Sequence, residues 1–337
     1  MKERCLGVDQ RFASDLMKPF YEINEKDLES FCLQDEMDSR GYVLIRGLLS
    51  SDYVDQLLHQ ILQIVGEGGW LQPNHDLLER KVVASAACGD SDPAFKSVYE
   101  QIFNLESFHA FVHHPALRRV MTLLVGPRLL IHPKPIGRLI FPNCERFVIQ
   151  AHQDHQSIGG DANSFTAWMP LHDCPVELGP LQILEASHHS GLQGTDPATG
   201  IIDRATANGN QWVGGQINAG DVLIFHSLTV HAATPNISDQ LRISIDCRFQ
   251  DYARALHPAN LVFPGSSGRS WEAVYANWLS DDLEYFWKDV PLTLKPSLAE
   301  LAELAETADS PQMRSRYARI VGQLELQMAT DPALKDR

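Results

Sequence analysis

Apolar and polar positions follow two different periods along the chain, and the period changes twice. Apolar residues recur at helical spacing in three segments, residues 24–40, 50–69 and 93–125. Between the first two lies GYVLIRGLL, an apolar and β-branched run of strand length at 41–49. Ser51 is placed to cap the second helix at its N-terminus. The pattern predicts that residues 1–127 are mainly helical with an early strand.

Short apolar runs punctuated by Gly, Pro, Asn and Asp occupy residues 128–250. They read LLIHP, GRLIF, SFTAWMPLH, PLQILEAS, GGQINAGDVLIFH and LRISIDCRF. Strands of this length and spacing predict a sandwich or barrel. Residues 251–337 turn helical again, with SWEAVYANW and a tail rich in Ala, Leu and Glu. We therefore expect a single domain, 1–337, that is mainly β with flanking helices.

Composition narrows the possible partners. The net charge is −15 with a pI near 5.3, which argues against nucleic acid and anionic membranes, because affinity for phosphate comes mainly from Lys and Arg. The six cysteines are dispersed without a C-x-x-C pair, as in a reduced compartment. No N-terminal apolar segment and no run of about 18 apolar residues is present. The sequence predicts a cytoplasmic protein without nucleic-acid or membrane partners.

Candidate metal ligands lie in QAHQDHQ, where His152, Asp154 and His155 fall within four positions. A His-x-Asp pair is expected about once by chance in such a chain. It is therefore evidence for a metal site only together with other candidate residues. If the segment is extended, His152 and Asp154 point one way and His155 the other. A further histidine, His231, follows the strand-like GDVLIF. We therefore expect the set His152, Asp154 and His231.

The strand LRISIDCRF places polar residues on one face. Arg242, Ser244, Asp246 and Arg248 alternate with four apolar residues. Two histidines and a carboxylate form a non-haem Fe(II) site that leaves positions for O2 and a bidentate cosubstrate. Arg242, eleven residues after His231, can pair with a cosubstrate carboxylate, and Ser244 can add a hydrogen bond. The residues alone leave other roles open: Arg242 pairing with Asp246, and Ser244 as a packed hydroxyl.

These features together resemble the phytanoyl-CoA dioxygenase family of Fe(II)/2-oxoglutarate-dependent oxygenases. The resemblance is carried by HQD at 152–154, ELGPLQILEASHHSG from Glu177, GDVLIF from Gly220, VHAATPN around His231, and the spacing to Arg242. It implies a double-stranded β-helix (jelly roll, cupin-like) core at 128–250 and a helical extension at 251–337. It also implies iron held by His152, Asp154 and His231, and 2-oxoglutarate held by Arg242. Gln150 and Trp168 match the Gln and the aromatic residue that family members add near the His-x-Asp, although Trp168 could equally be core.

The resulting hypothesis is an oxygenase that uses Fe(II), 2-oxoglutarate and O2 to hydroxylate, desaturate or rearrange a small-molecule substrate, releasing succinate and CO2. Because Asp154 is present, halogenation is disfavoured, since the related iron halogenases carry a small residue there. The alternative is a non-catalytic metal-binding or ligand-binding β-barrel of the same fold. Zinc hydrolysis could use a similar triad but leaves Arg242 unexplained. A monomer or homodimer is expected, and a free small molecule is favoured over a CoA thioester.

Overall fold

A computed structural model describes residues 17–30, 32–195, 202, 210–262 and 270–330. The two ends of the predicted domain, 1–16 and 331–337, lie outside these residues. The α-helices are α1 (Leu33–Arg40), α2 (Ser51–Glu67), α3 (Pro93–Phe103), α4 (Glu106–Phe111), α5 (Pro115–Val125), α6 (His155–Ile158), α7 (Trp271–Tyr275), α8 (Leu298–Thr307) and α9 (Pro311–Thr330). In the part of the chain so described, no helix combines the length and apolarity that crossing a membrane requires.

The strands form two main sheets and one small sheet. In chain order they are β1 (Lys18–Pro19), β2 (Glu22–Asn24), β3 (Tyr42–Arg46), β4 (Leu129–Ile131), β5 (Ile136–Ile140), β6 (Ser164–Pro170), β7 (Leu181–Leu184), β8 (Trp212–Gly214), β9 (Val222–His226), β10 (His231–Ala233), β11 (Arg242–Asp251), β12 (Ala255–Leu256) and β13 (Thr293–Leu294). The larger sheet runs β2-β3-β9-β6-β11-β4, with β5 also paired to β11. The smaller runs β1-β8-β7-β10, and β12 pairs with β13.

The larger sheet is buried on both faces. Side chains of its inner face, such as Tyr42 and Phe225, share a hydrophobic cluster with Ile183 and Val213 of the smaller sheet. Side chains of its outer face join the main core with α1, α2, α3 and α5. Double burial explains why every residue of β6 is buried although SFTAWMP mixes polar and apolar residues. The result is the predicted jelly-roll core with flanking helices, and the fold class expected from the sequence is confirmed.

The sequence pattern was least accurate at helix starts. The predicted helix at 24–40 begins only at Leu33, after β2 and a short 3-10 helix. The cap of α2 is Ser50, not Ser51, because the Ser50 side chain accepts a hydrogen bond from the Tyr53 backbone N–H. β2 and β3 join the larger sheet, and the division of the chain at 127 and 250 stays a prediction.

Gly220 lies in the turn that leads into β9 and packs directly on the segment after β3. Its φ is +88°, and a Cβ there would overlap the Leu49 carbonyl oxygen. The Leu49 N–H in turn donates to the Gly220 carbonyl at 2.9 Å. Both the backbone angle and the close approach therefore require glycine at this turn.

We predict that Gly220→Ala destabilises the protein more than Gly47→Ala. Both glycines have positive φ, but a Cβ on Gly47 meets nothing within 4 Å. We expect a loss of about 1–2 kcal/mol for Gly47→Ala from the left-handed backbone alone, and about 2–4 kcal/mol for Gly220→Ala. The measurement is the urea unfolding free energy of both variants. Equal losses would show that the contact with Leu49 does not constrain this turn.

Candidate active site

His152 and His231 are joined through their backbones. Residue 152 forms an isolated antiparallel bridge with residue 231 at the start of β10, and each N–H donates to the other's carbonyl at 3.0 Å. The two imidazole centroids lie 4.2 Å apart. A single strand-like contact thus places two histidines from distant parts of the chain side by side.

Asp154 lies beside these two histidines but has a different backbone conformation. Its backbone is helical, with φ −59° and ψ −35°, and it precedes the short helix α6. Its Oδ1 lies 3.7 Å from His152 Nε2 and 3.9 Å from His231 Nε2. One ligand atom from each of the three residues lies within 4.8 Å of the others, a spacing at which one metal ion can contact all three.

Backbone carbonyls hold both imidazoles through Nδ1. His152 Nδ1 lies 2.7 Å from the Gln150 carbonyl oxygen, and His231 Nδ1 lies 3.0 Å from the Thr229 carbonyl oxygen. Because a carbonyl only accepts, each Nδ1 donates, and Nε2 is the nitrogen of each ring that lies near Asp154 Oδ1. Burial, with the nearby His152, lowers the pKa of His231 to about 3. His231 is therefore neutral at physiological pH.

Asp154 is buried, and its carboxylate has two further partners. The Thr166 hydroxyl donates to Oδ2 at 2.6 Å, and Arg248 Nη2 lies 3.2 Å from both carboxylate oxygens. Burial alone would raise the pKa of Asp154, but the Arg248 cation and the Thr166 hydroxyl hold it well below its usual range. The carboxylate is charged, with Oδ1 nearest the two Nε2 atoms.

Arg248 belongs to a chain of alternating charges on the polar face of β11. Its Nη1 lies 2.6 Å from Asp246 Oδ2, and Asp246 Oδ1 accepts from Arg138 Nε at 3.0 Å. Asp246 and Arg248 are buried. Buried charges need partners of opposite sign. Asp154 pairs with Arg248, Arg248 with Asp246, and Asp246 with Arg138, so negative and positive side chains alternate.

Arg242 and Ser244 lie on the same face with unsatisfied polar atoms. Both side chains are fully buried. Arg242 donates from Nη1 to the Gly179 carbonyl, while its Nε and Nη2 and the Ser244 Oγ have no hydrogen-bond partner among the described residues. Burial lowers the pKa of Arg242 to about 10, which leaves it charged at neutral pH. A buried cation beside a free hydroxyl fits a carboxylate, so these residues suit the distal end of 2-oxoglutarate.

The other residues singled out from the sequence are placed as follows. Trp168 is buried, and the Arg242 guanidinium carbon lies 5.9 Å from its ring centroid. Gln150 is exposed; its side chain donates to the Val148 carbonyl, and its own backbone carbonyl accepts from His152. His155 stands outside the three-residue set. The alternative pairing of Arg242 with Asp246 is not formed among the described ion pairs, in which Asp246 binds Arg138 and Arg248.

Sequence reasoning missed Thr166 and Arg248 as partners of Asp154. Arg248 was assigned to the polar face of its strand, but nothing in the sequence linked it to Asp154. The register supplies the link: residue 248 of β11 pairs with residue 166 of β6, so both side chains reach the same carboxylate. Their shared orientation could be found from sequence only if the pairing of β6 with β11 were known.

A cavity of about 650 Å³ opens beside the three-residue set. His152, Asp154 and Arg248 form part of its wall. The remaining wall comes from α3 with the residues before it, from 132–138, and from the segments around Ile158 and Asn260. This volume suits a small organic molecule next to the metal position.

A jelly-roll barrel that carries two histidines and a carboxylate beside an open cavity is the arrangement of non-haem iron oxygenases. Residues 37–244 match the phytanoyl-CoA dioxygenase (PhyH) family. The match covers more than half of the chain, and the protein belongs to this family.

Relatives and solved structures agree with this assignment. The 1-deoxypentalenic acid 11-beta-hydroxylase of Streptomyces exfoliatus is 24% identical over 231 residues, 63% of this chain and 78% of the relative. The enzyme of the same name from Streptomyces arenae is 25% identical over 238 residues, with the same coverage. The epimerase SnoN, solved with Fe3+, alpha ketoglutarate and nogalamycin RO, gives a TM-score of 0.53 at 22% identity, covering 73% of this chain and 93% of SnoN. The carbocyclase SnoK gives 0.50 at 21% identity, covering 69% and 87%.

Family membership confirms two predictions made from the sequence and agrees with a third. The protein is an enzyme, a 2-oxoglutarate-dependent non-haem iron dioxygenase. Its cofactor and cosubstrates are Fe(II), 2-oxoglutarate and O2. A small-molecule substrate is consistent with the family. The assignment of individual residues to these groups stays a proposal.

We predict that Thr166→Val weakens Fe(II) binding while Thr166→Ser preserves it. Valine removes the hydroxyl that holds Asp154 Oδ2, and loss of such a partner typically costs about 10–100-fold in metal affinity. Anaerobic Fe(II) titration of the two variants and the wild type measures the effect. Wild-type affinity in Thr166→Val would show that this hydrogen bond does not orient a metal ligand.

Proposed function

We propose that this enzyme hydroxylates a C–H bond of a small organic molecule, with His152, Asp154 and His231 holding iron and Arg242 anchoring 2-oxoglutarate. The observation that carries the proposal is the convergence of His152 Nε2, His231 Nε2 and Asp154 Oδ1 beside a cavity whose wall includes His152 and Asp154. Bound Fe(II) supplies the O2-dependent oxidation, coupled to conversion of 2-oxoglutarate to succinate and CO2.

The protein's own residues prepare the site for that chemistry. The carbonyls of Gln150 and Thr229 fix the two imidazoles, so their Nε2 lone pairs are presented without reorganisation. Thr166 donates to Asp154 Oδ2 alone, while Arg248 contacts both carboxylate oxygens, so the Thr166 hydroxyl favours ligation through Oδ1. Single-atom ligation by the carboxylate leaves more of the metal's positions for a chelating cosubstrate, O2 and the approach of substrate.

Arg242 and Ser244 act at the other end of the cosubstrate. The two unpaired nitrogens of Arg242 and the free Ser244 hydroxyl can bind one carboxylate in a forked arrangement. The buried position excludes water, so the ion pair is strong and the cosubstrate is held in one orientation. Trp168, against the Arg242 guanidinium, restricts that side chain.

Hydroxylation is favoured over other outcomes by two observations. Asp154 occupies the carboxylate position, which disfavours halogenation. The two relatives from Streptomyces carry the name of a hydroxylase. The fold itself does not decide the reaction, because an epimerase and a carbocyclase share it. We expect the protein to act as a monomer or homodimer, without a nucleic-acid or membrane partner.

Asp154→Ala is expected to abolish Fe(II) binding and succinate formation together, because it removes one of three ligands. Asp161→Ala is the control, since Asp161 is a partly exposed carboxylate paired with Arg254 outside the three-residue set. Anaerobic addition of Fe(II) and 2-oxoglutarate should give the weak visible absorption of their complex in the control and not in Asp154→Ala. Wild-type succinate production by Asp154→Ala would refute the proposal. A wild-type protein that shows no such absorption at saturating cosubstrate would instead be a binding module.

Arg242→Met is expected to raise the half-saturating concentration of 2-oxoglutarate by at least about thirtyfold, since it removes one partner of a buried charge pair. Ser244→Ala should raise it by about three- to tenfold, the effect of one hydrogen bond. Fe(II) affinity without 2-oxoglutarate should stay at the wild-type value in both variants. An unchanged half-saturating concentration in Arg242→Met would remove Arg242 from the cosubstrate site.

A further inference from the structure

Lys134 stands in the wall of the cavity between two prolines. It belongs to HPKP, the loop that joins β4 to β5, where Pro133 and Pro135 restrict the backbone. Its side chain is partly buried, and its ammonium group donates to the Ala259 carbonyl. An ammonium has three donors, and this contact uses one of them.

The other buried cations of the cavity wall are already neutralised. Arg248 binds Asp154 and Asp246, and Arg138 binds Asp246. None of the ion pairs among the described residues includes Lys134. A cation partly removed from water and lacking an anion is costly unless a ligand supplies one.

The charged groups that shift the pKa of Lys134 are themselves cations. Burial, together with the cations Arg316, Arg248 and Arg319, lowers the pKa of Lys134 to about 7, so its charged form is disfavoured until an anion binds. Arg316 and Arg319 come from α9, which reaches this part of the fold. Apart from Asp154, the acidic residues of the wall are Asp90 and Glu100, and Asp90 raises the pKa of Arg138. In a chain with a net charge of −15, this end of the cavity is a local region of positive potential.

The rest of the wall near this group is largely apolar. Phe95, Tyr99, Pro135, Ile136 and Ile158 all line the cavity. A ligand that fills it needs a carbon skeleton for these side chains and one anionic group for Lys134.

We propose that the substrate is a small organic acid whose carboxylate binds Lys134 while its apolar skeleton packs in the cavity beside Asp154. This substrate class rests on the proposed function, because the cavity is the substrate site only if the triad is the metal site. Lys134 is then a specificity-determining residue that fixes which end of the substrate faces the iron.

The test compares three probes with the same six-carbon ring: cyclohexanecarboxylate, cyclohexanecarboxamide and cyclohexylmethylammonium. Calorimetry measures their binding under argon to protein loaded with Fe(II) and saturating 2-oxoglutarate, so that the Arg242 position is filled. Wild-type protein should bind the carboxylate at least about tenfold more tightly than the amide, the effect of one charge-assisted hydrogen bond. The ammonium should bind most weakly.

Variants show which residue causes the preference for the carboxylate over the amide. Lys134→Met should bind carboxylate and amide equally, while Lys134→Arg should keep the preference. Lys96→Met is the matched comparison, because Lys96 also borders the cavity but is exposed; it should retain the preference. Far-UV circular dichroism and the visible Fe(II)/2-oxoglutarate absorption confirm that each variant is folded and loaded.

The proposal is overturned if the wild type does not distinguish carboxylate from amide, or does not bind the carboxylate at millimolar concentration. It is also overturned if the preference survives in folded Lys134→Met, or disappears in Lys96→Met instead. The same titrations on metal-free protein separate the two proposals, since the preference for the carboxylate does not need iron. Failure of the proposed function would appear as a missing visible absorption, whereas failure of the present inference leaves that absorption intact.

Discussion

The burial of one ionised carboxylate, Asp154, is the constraint on which the rest of the site depends. A charge with about 2% of its surface exposed requires compensation, because its desolvation costs several kcal/mol. Compensation comes from Arg248 and Thr166, and Arg248 in turn needs Asp246. The charge chain across β11 therefore follows from placing a single anionic ligand in the barrel interior.

The two faces of β11 connect the fold to this site. Ile243, Ile245, Cys247 and Phe249 face the main core with the helices. The opposite face carries Arg242 and Ser244 at one end and Arg248 at the other. Because side chains alternate along a strand, packing of the apolar face against the helices fixes the orientation of every polar group on the interior face. Helix packing on the outside thus orients Arg242, the proposed cosubstrate anchor, on the inside.

How far the sequence could predict this site depends on whether each feature is local. The faces of β11 follow from alternation within ten residues, and they were predicted correctly. The parity argument predicted that His152 and Asp154 lie together, as they do in the structure, but its premise of an extended segment fails because the chain is helical from Asp154 onward. His155 is separated by that helix and not by strand alternation. Contacts such as Arg248 with Asp154, 94 positions apart, depend on strand register, which local patterns do not contain.

The barrel strands and the residues next to them carry the triad and Arg242, whereas other segments form most of the cavity wall. This separation explains how one fold serves several reactions. The triad and Arg242 lie on or next to barrel strands, whose register tolerates little change. The cavity wall beyond them comes from the loop at 132–135, from α3 and from the segment near Asn260. These segments carry none of the three residues proposed to hold iron, so their residue types can differ while the strand register of the barrel is kept. In the proposed function, substrate selection therefore resides in the charge and shape of this outer wall, where Lys134, unlike Arg138 and Arg248, has no carboxylate partner among the described ion pairs.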